Sequence, residues 1–473
     1  MQARMILFEW TRGFNQWTSA YLYGTDILLA TLFVFWLAKS LKRAPNPKSE
    51  IRLPRRDESR LGNPKKNSKF KILNSKFFLG LFLLVAALSI FNAQIKGLAW
   101  YQLLKLAEFI GFYFYLVRNR PAKGVATIAS GRSISNEVYL KHNLDRVFQF
   151  RSVLAVVIAS GLFQALIGII QYAKQGSVGL YILGESPLSV HASGVAVFVA
   201  DGVKHIRAYG LTPHPNVLAA WLFTAIFALY FIYLYPHTHR GVGVYSRTNL
   251  ESSQGSKWLL LVYVMLLLGL LFTFSRVIVG LWVLGTLARI LIVFFKRGFR
   301  ENPAIRQGVT RLSIVSLVVV IAFSALFWPQ VKSRLVISPT EEAVAQRVFY
   351  NKEAVKIVEG SPWLGVGIGQ FVPEMMEKFK RLPAQAYQPV HNIYLLIASE
   401  TGFVGLSVFL IFLFSVFWRF IKGADFGKLH NFSFFIFVFS FLLIGLFDHF
   451  LWTSQQGSFI FWMALALLNV SSD

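Results

Sequence analysis

The 473 residues are 55% hydrophobic and 15% charged, with a mean hydropathy of +0.53, a balance that excludes an ordinary soluble globular domain. Lys and Arg number 48 against 22 Asp and Glu, a formal charge of +26, and only its distribution can separate a nucleic-acid partner from a membrane orientation signal. Cysteine is absent, which excludes disulfides, thiol catalysis and cysteine-ligated metals.

The first segment, 1–21, is interrupted by Glu9, Arg12 and Asn15 and lacks the compact apolar core and small-residue site of a cleavable signal. It is expected to be an interfacial helix. After it come eleven apolar runs near 22–38, 77–92, 98–117, 152–172, 216–235, 258–274, 277–295, 312–328, 392–418, 431–447 and 456–470. A helix needs about 20 apolar residues to cross roughly 30 Å of hydrocarbon, so the pattern predicts an all-α integral membrane protein with about eleven (ten to twelve) transmembrane helices. The expected organisation is eight spans over 22–328, a long helical extracytoplasmic loop over 329–391 and three spans over 392–470.

Basic residues set the orientation, because cytoplasmic loops retain Lys and Arg during insertion. The loop 39–76 carries Lys42, Arg43, Arg55, Arg56, Lys65 and Lys66 among others, and the alternate loops 118–151, 236–257, 296–311 and 419–428 are also basic. These five segments hold most of the 48 cations, so the charge reads as topology and as attraction to anionic lipids rather than as a nucleic-acid surface. The amino terminus, the segment 173–215, the link at Ser275 and Arg276 and the loop 329–391 then face outward, where function is to be sought.

The first outer segment holds Arg207-Ala208-Tyr209-Gly210-Leu211-Thr212-Pro213-His214-Pro215-Asn216. Pro215 suits the first turn of the helix that follows. An isolated arginine here would snorkel to headgroups, but a turn and a helix N-terminus beside it favour holding an anion such as phosphate. Arg276 sits between two apolar runs with almost no loop, where a charge is costly and usually paired or functional.

Ser338-Pro339-Thr340-Glu341 has the form of a capping box and predicts a helix that runs to Gly360. Val344, Val348, Val355 and Val358 would share one face, and Arg347, Tyr350 and Ala354 another. The following Trp363-Leu364-Gly365-Val366-Gly367 matches neither a P-loop nor a dinucleotide fingerprint and reads as a tight turn. His391-Asn392 closes the loop where the chain enters the next span. His391 is placed to take a proton from a hydroxyl. The histidines show no metal-site spacing and there is no paired-Asp motif, so neither a metal nor another cofactor is expected.

Arg207-Ala-Tyr-Gly with Pro215-Asn216, Ser275-Arg276, Arg347 in a loop helix, Pro362-Trp-Leu-Gly-Val-Gly, and His391-Asn392 with Glu400-Thr-Gly together resemble the O-antigen ligase and polymerase superfamily over residues 200 to 410. The resemblance implies a GT-C-like glycosyltransferase of the bacterial cytoplasmic (inner) membrane, active at its outer, periplasmic face. Its donor would be a polyprenyl diphosphate-linked glycan, with Arg207 and Arg276 binding the diphosphate and His391 acting as general base. Arg347, Asn392, His214 and Asn216 are further candidate substrate-binding residues. The acceptor stays open between lipid A core (ligase), a second lipid-linked glycan (polymerase) and a protein hydroxyl (O-oligosaccharyltransferase). A transporter of lipid-linked oligosaccharide is the rival class, but apart from Lys105 with Glu108, read as a structural pair, the spans offer little of the charged and broken elements transporters use.

Overall fold

The structure is a computed structural model that describes residues 4–11, 15–42, 75–118, 136–234, 251–296, 303–336 and 341–471. Of the basic loops, residues 43–74, 119–135, 236–250 and 297–302 lie outside these residues. Helices stand at each of the eleven apolar runs: α1 (Gly24–Lys42), α2 (Ser75–Ser89), α3 (Lys96–Arg118), α4 (Asn136–Lys174), α5 (Pro215–Leu234), α6 (Glu251–Phe272), α7 (Arg276–Phe295), α8 (Pro303–Leu326), α12 (Ile393–Gly423), α13 (Leu429–Gly445) and α15 (Gln455–Ser471). Between α8 and α12 lie three further helices, α9 (Trp328–Leu335), α10 (Glu342–Gly360) and α11 (Phe371–Lys378), and the short α14 (Phe450–Thr453) precedes α15. Among the described residues six helices are long and apolar enough to cross a membrane, and three shorter apolar stretches accompany them. The chain is a helical, multi-pass membrane protein.

Helix α5 is the hub, 72% buried and in contact with α4, α6 and α7. Lipid tails are as apolar as the helices, so close packing rather than water exclusion holds such a centre together. Small residues make the approach close. A Cβ added at Gly161 would lie 2.5 Å from Ala225 Cβ, and one at Gly269 would lie 2.6 Å from Ala165 Cβ, so α4, α5 and α6 meet through these four positions. Aromatic rings fill the next layer, with Phe223 and Phe227 of α5 against Phe437 of α13. Helices α7 and α8 bury only 28% and 22% of their apolar windows and turn Leu287, Leu291, Leu317 and Ile321 outward, as lipid-facing helices do.

Two features depart from the expected all-helical pattern. The amino-terminal segment is not an interfacial helix but a hairpin of β1 (Arg4–Glu9) and β2 (Ser19–Tyr23). Its consecutive apolar residues Met5, Ile6, Leu7 and Phe8 are all about half exposed, so the strand still presents an interfacial surface. A second hairpin, β3 (Val197–Ala200) with β4 (Val203–Ile206), leads into the Arg207 segment.

The loop helix is also corrected. Its described helix starts at Glu342 behind Glu341, whose side chain makes no capping bond, and the Ser338-Pro339-Thr340 part of the expected capping box lies outside the described residues. Its buried side is Tyr350, Glu353, Ala354 and Val358, while Val348 and Val355 are exposed. The four valines therefore do not share one exposure, and Tyr350 and Ala354 pack with Phe371, Val372 and Met375 of α11 and Val390 in the loop's own small core. Lys105 and Glu108 do pair, at 3.1 Å, and Asp26 joins them at 2.5 Å from the ammonium.

Candidate functional site

The Arg207 segment is positioned from below by α4. Gln171 Nε2 donates to Gly210 O at 2.9 Å and to Glu185 Oε1 at 2.8 Å, while Tyr209 N donates to Gln171 Oε1. Gly210 has φ +59°, and a Cβ there would meet Gln164 Oε1 at 2.5 Å, so glycine is required. Tyr209 is buried, its hydroxyl accepting from Ala196 N. Arg207 is thereby held 8% exposed. Its Nε donates to Thr273 O at 2.7 Å and its Nη2 to Asn216 Oδ1 at 2.7 Å. Burial, and then Arg334 nearby, lower its pKa to about 9.

Asn216 passes the connection on. Its Nδ2 donates to Asp448 Oδ2 at 2.6 Å, and Asp448 Oδ1 accepts from His449 N at 2.8 Å. Asp448 and His449 stand in the link between α13 and α14, both 6% exposed. The imidazole nitrogens of His391 and His449 and a carboxylate oxygen of Asp448 lie within 4.8 Å of one another, with the two rings 4.9 Å apart at 78°. Burial pushes the Asp448 carboxyl up, but the three imidazoles of His391, His449 and His214 and the Asn216 hydrogen bond outweigh it, and it remains a carboxylate. Burial pulls His449 and His214 down to about 3 and lowers His391 as well, with Asp448 opposing. The imidazoles are therefore neutral near pH 7. His391 Nδ1 is buried with no hydrogen-bond partner. Two neutral imidazoles and a carboxylate are a donor set that suits a transition metal such as zinc, so the absence of a metal motif in the sequence does not extend to the fold.

The helix that begins just after His391 is broken. Gly402 inside α12 has φ +69°, which frees backbone groups that lipid cannot satisfy. The glycine turn supplies them: Val366 N and Gly367 N donate to Ser399 O and Glu400 O at 3.0 Å each, and Phe403 N donates to Pro362 O at 2.7 Å. Gly365 and Gly367 have φ +67° and +108°. The two glycine motifs are thus one structural unit, a tight turn locked into a helix break. Asn392 caps α12, its Oδ1 accepting from Tyr394 N and Leu395 N, and His214 Nδ1 accepts from Asn216 N at 3.2 Å.

These parts face one cavity of about 1120 Å³, lined by Arg207, Arg334, Arg347, His391, Asp448 and His449 among others. Arg347 Nε is buried without a partner. Arg276 stands apart from this cavity. It faces a smaller one of about 210 Å³ that Arg207, Arg334, Arg347 and Asp448 also line, and its guanidinium pairs with Glu341 at 2.8 Å and donates to Arg334 O at 2.7 Å. The sequence thus supplied Arg207, Asn216, Arg347 and His391, which the fold brings together. It missed Asp448, His449 and Arg334. An acid in the tight link between two spans is the signal that marked Arg276, and it applies equally to Asp448.

No curated protein matches the chain. The family model described as O-Antigen ligase, Wzy_C, matches residues 261–410, a stretch that includes Arg276, Arg347, the glycine turn, His391 and the Gly402 break. Over that segment, about a third of its length, the chain is similar to the O-antigen ligase family.

Proposed function

We propose that the protein moves a glycan from a polyprenyl diphosphate carrier to an acceptor hydroxyl at the outer, periplasmic face of the bacterial cytoplasmic membrane, in the manner of an O-antigen ligase. The observation that carries this reading is the meeting of Arg207, Arg347 and a neutral His391 on one cavity, although they come from three separate parts of the chain. Leaving-group and base chemistry for a glycosyl transfer are then side by side.

Arg207, Arg334 and Arg347, with Arg276 from the smaller cavity, hold the diphosphate and offset the charge that grows as the anomeric C–O bond breaks. The acceptor oxygen forms the new bond to the anomeric carbon, and its proton passes to His391. The polyprenyl diphosphate departs as the anion. Asp448 does not touch the reacting atoms; it is a positioning residue whose charge favours the imidazolium formed on His391, and it is itself tied through Asn216 to Arg207. The arginines supply the positive charge that a divalent ion supplies in other diphosphate sites, so chelation is expected to leave the rate unchanged. The lipid chain of the donor lies among the spans, and the glycan in the outer cavity.

The test is transfer by purified protein in lipid nanodiscs, with undecaprenyl diphosphate-linked glycan as donor and lipid A core as acceptor. Wild type forms the glycosylated product and His391→Ala, inserted in the membrane at the same level, does not. Full transfer by the variant removes His391 as the base, and strict dependence on added metal removes the arginine-only account of the leaving group.

A further inference from the structure

The cavity extends well beyond the arginines. Its far wall is made by residues outside the family-matched stretch: Trp17 and Tyr21 of the amino-terminal hairpin region, Tyr23, and Tyr101, Gln102 and Lys105 of α3. We infer that this wall is the subsite for the carbohydrate of the acceptor, an inference that rests on the glycosyl-transfer reading and names the part of it that selects the acceptor.

The hairpin is fastened over the cavity on both sides. Asn15 Nδ2 donates to Ala384 O and to Tyr387 O, each at 3.3 Å, which ties it to the outer loop. Tyr21 N donates to the Tyr101 hydroxyl at 3.1 Å, and that hydroxyl donates back to Tyr21 O at 3.0 Å, which ties it to α3. The wall is therefore fixed rather than loose, and its chemistry suits a sugar. A pyranose has C–H faces that lie on aromatic rings and a rim of hydroxyls that both donate and accept. Tyr and Trp offer a ring with a polar tip, and the Gln102 amide offers both kinds of hydrogen bond. The charges behind them are already paired. Lys105 is held by Asp26 and Glu108, and Gln455 Nε2 donates to Asp26 Oδ1 at 2.6 Å. This wall therefore presents hydrogen-bonding groups without the unpaired cationic charge found at the arginine end, and suits hydroxyls rather than phosphate.

Geometry assigns the wall to the acceptor and not to the donor glycan. In the transfer the order is diphosphate, anomeric carbon, attacking oxygen, base. Trp17 packs edge-on against His449, ring centres 5.1 Å apart, and His449 packs in turn against His391. The hairpin thus joins the site through the base, not through the arginines. A volume of about 1120 Å³ exceeds the roughly 300–1,000 Å³ of small-ligand pockets and has room for sugar rings on both sides of the bond being made.

The experiment compares wild type, Trp17→Ala and Gln102→Ala in the transfer assay, varying donor and acceptor separately, and in parallel measures retention of the detergent-purified proteins on an array of immobilised lipopolysaccharide core oligosaccharides. Both variants are expected to raise the acceptor KM about tenfold, leave the donor KM unchanged and lose array binding, with Trp17→Phe restoring most of it. Unchanged acceptor KM in both variants overturns the inference, and a rise in donor KM alone reassigns the wall to the donor. Gln102→Ala decides the matter if Trp17→Ala does not fold. Should wild type catalyse no transfer, the functional reading fails, and the array still judges the wall: absence of glycan binding by wild type, or binding equal in both variants, overturns it.

Discussion

The two ends of the outer cavity are built from different kinds of sequence. At one end Arg207, Asn216 and His391 sit where the chain turns into a helix, each beside a local pattern of Pro, Gly or Asn that betrays the turn, and Arg347 lies within the loop helix α10. At the other, Trp17, Tyr101 and Gln102 lie in a short hairpin and on an ordinary apolar helix, where nothing in the neighbouring residues distinguishes them. The first end is charged and wired, from Arg207 through Asn216 to Asp448. The second has its charges mutually paired. On the proposed reading the cation-rich end would hold the donor's diphosphate and the neutral end would select the acceptor.

The comparison breaks most sharply at the base. His391→Ala should lower transfer by about 10²–10⁴-fold, the usual worth of a positioned general base, with acceptor KM little changed because the wall opposite is intact. A variant that instead kept its rate and lost acceptor affinity would place His391 with the wall, and the two ends would no longer differ in kind.

Asp448→Asn tests the wiring. Losing one charge-assisted partner costs roughly 1.5–3 kcal/mol, so the rate should fall by about ten- to a hundredfold. The pH profile separates this from mere loss of structure. Asp448 raises the pKa of His391; without it the imidazole protonates only at lower pH, and the acid limb of kcat/KM should move down. A limb that stays in place would mean that Asp448 only braces the fold.

How much of this was open to reading from residues alone follows from the same contrast. Every run that the composition marked as apolar is a helix, because a 20-residue apolar stretch has few other ways to satisfy its backbone in lipid. The hairpin was not legible: Met5, Ile6, Leu7 and Phe8 form an unbroken apolar run without period-two alternation, and such a run cannot be told from a helical turn. Which face of α10 is buried could not be read from the sequence, because the partner surface of α11 and Val390 selects Tyr350 and Ala354. Asp448 and His449 were overlooked because a link of a few residues between α13 and α14 offers no motif, only a charge in an improbable place.

The Gly402 break tests the rigidity of the base's mounting. Gly402→Ala forces a side chain into a left-handed backbone, about 1–2 kcal/mol, and its Cβ would lie 2.1 Å from Trp363 O. The thermal midpoint in detergent should fall, and transfer should fall with it because His391 enters the same helix. A drop in stability with full activity in the surviving protein would show that the base does not depend on the lock between the glycine turn and α12.

The smallest expected effect concerns the anchor of the arginine end. Glu185 is 5% exposed and accepts from Val178 N at 2.6 Å, Gly179 N at 2.8 Å, Leu180 N at 2.6 Å and Gln171 Nε2 at 2.8 Å. Burial alone would raise its pKa, but these four donors reverse the sign and hold it below the ordinary carboxylate value. A carboxyl whose folded pKa is depressed contributes stability that is present above its unfolded pKa and is lost as pH falls through the folded one. The difference in thermal midpoint between wild type and Glu185→Gln should therefore be largest near pH 7 and shrink as the pH drops below about 4. Because Gln171 also carries Gly210 and Tyr209, the variant should weaken donor binding before it alters acceptor binding. A gap that persists unchanged in acid would mean that Glu185 acts by its shape, as a plug in the loop, and that its charge contributes nothing to holding Arg207 in place.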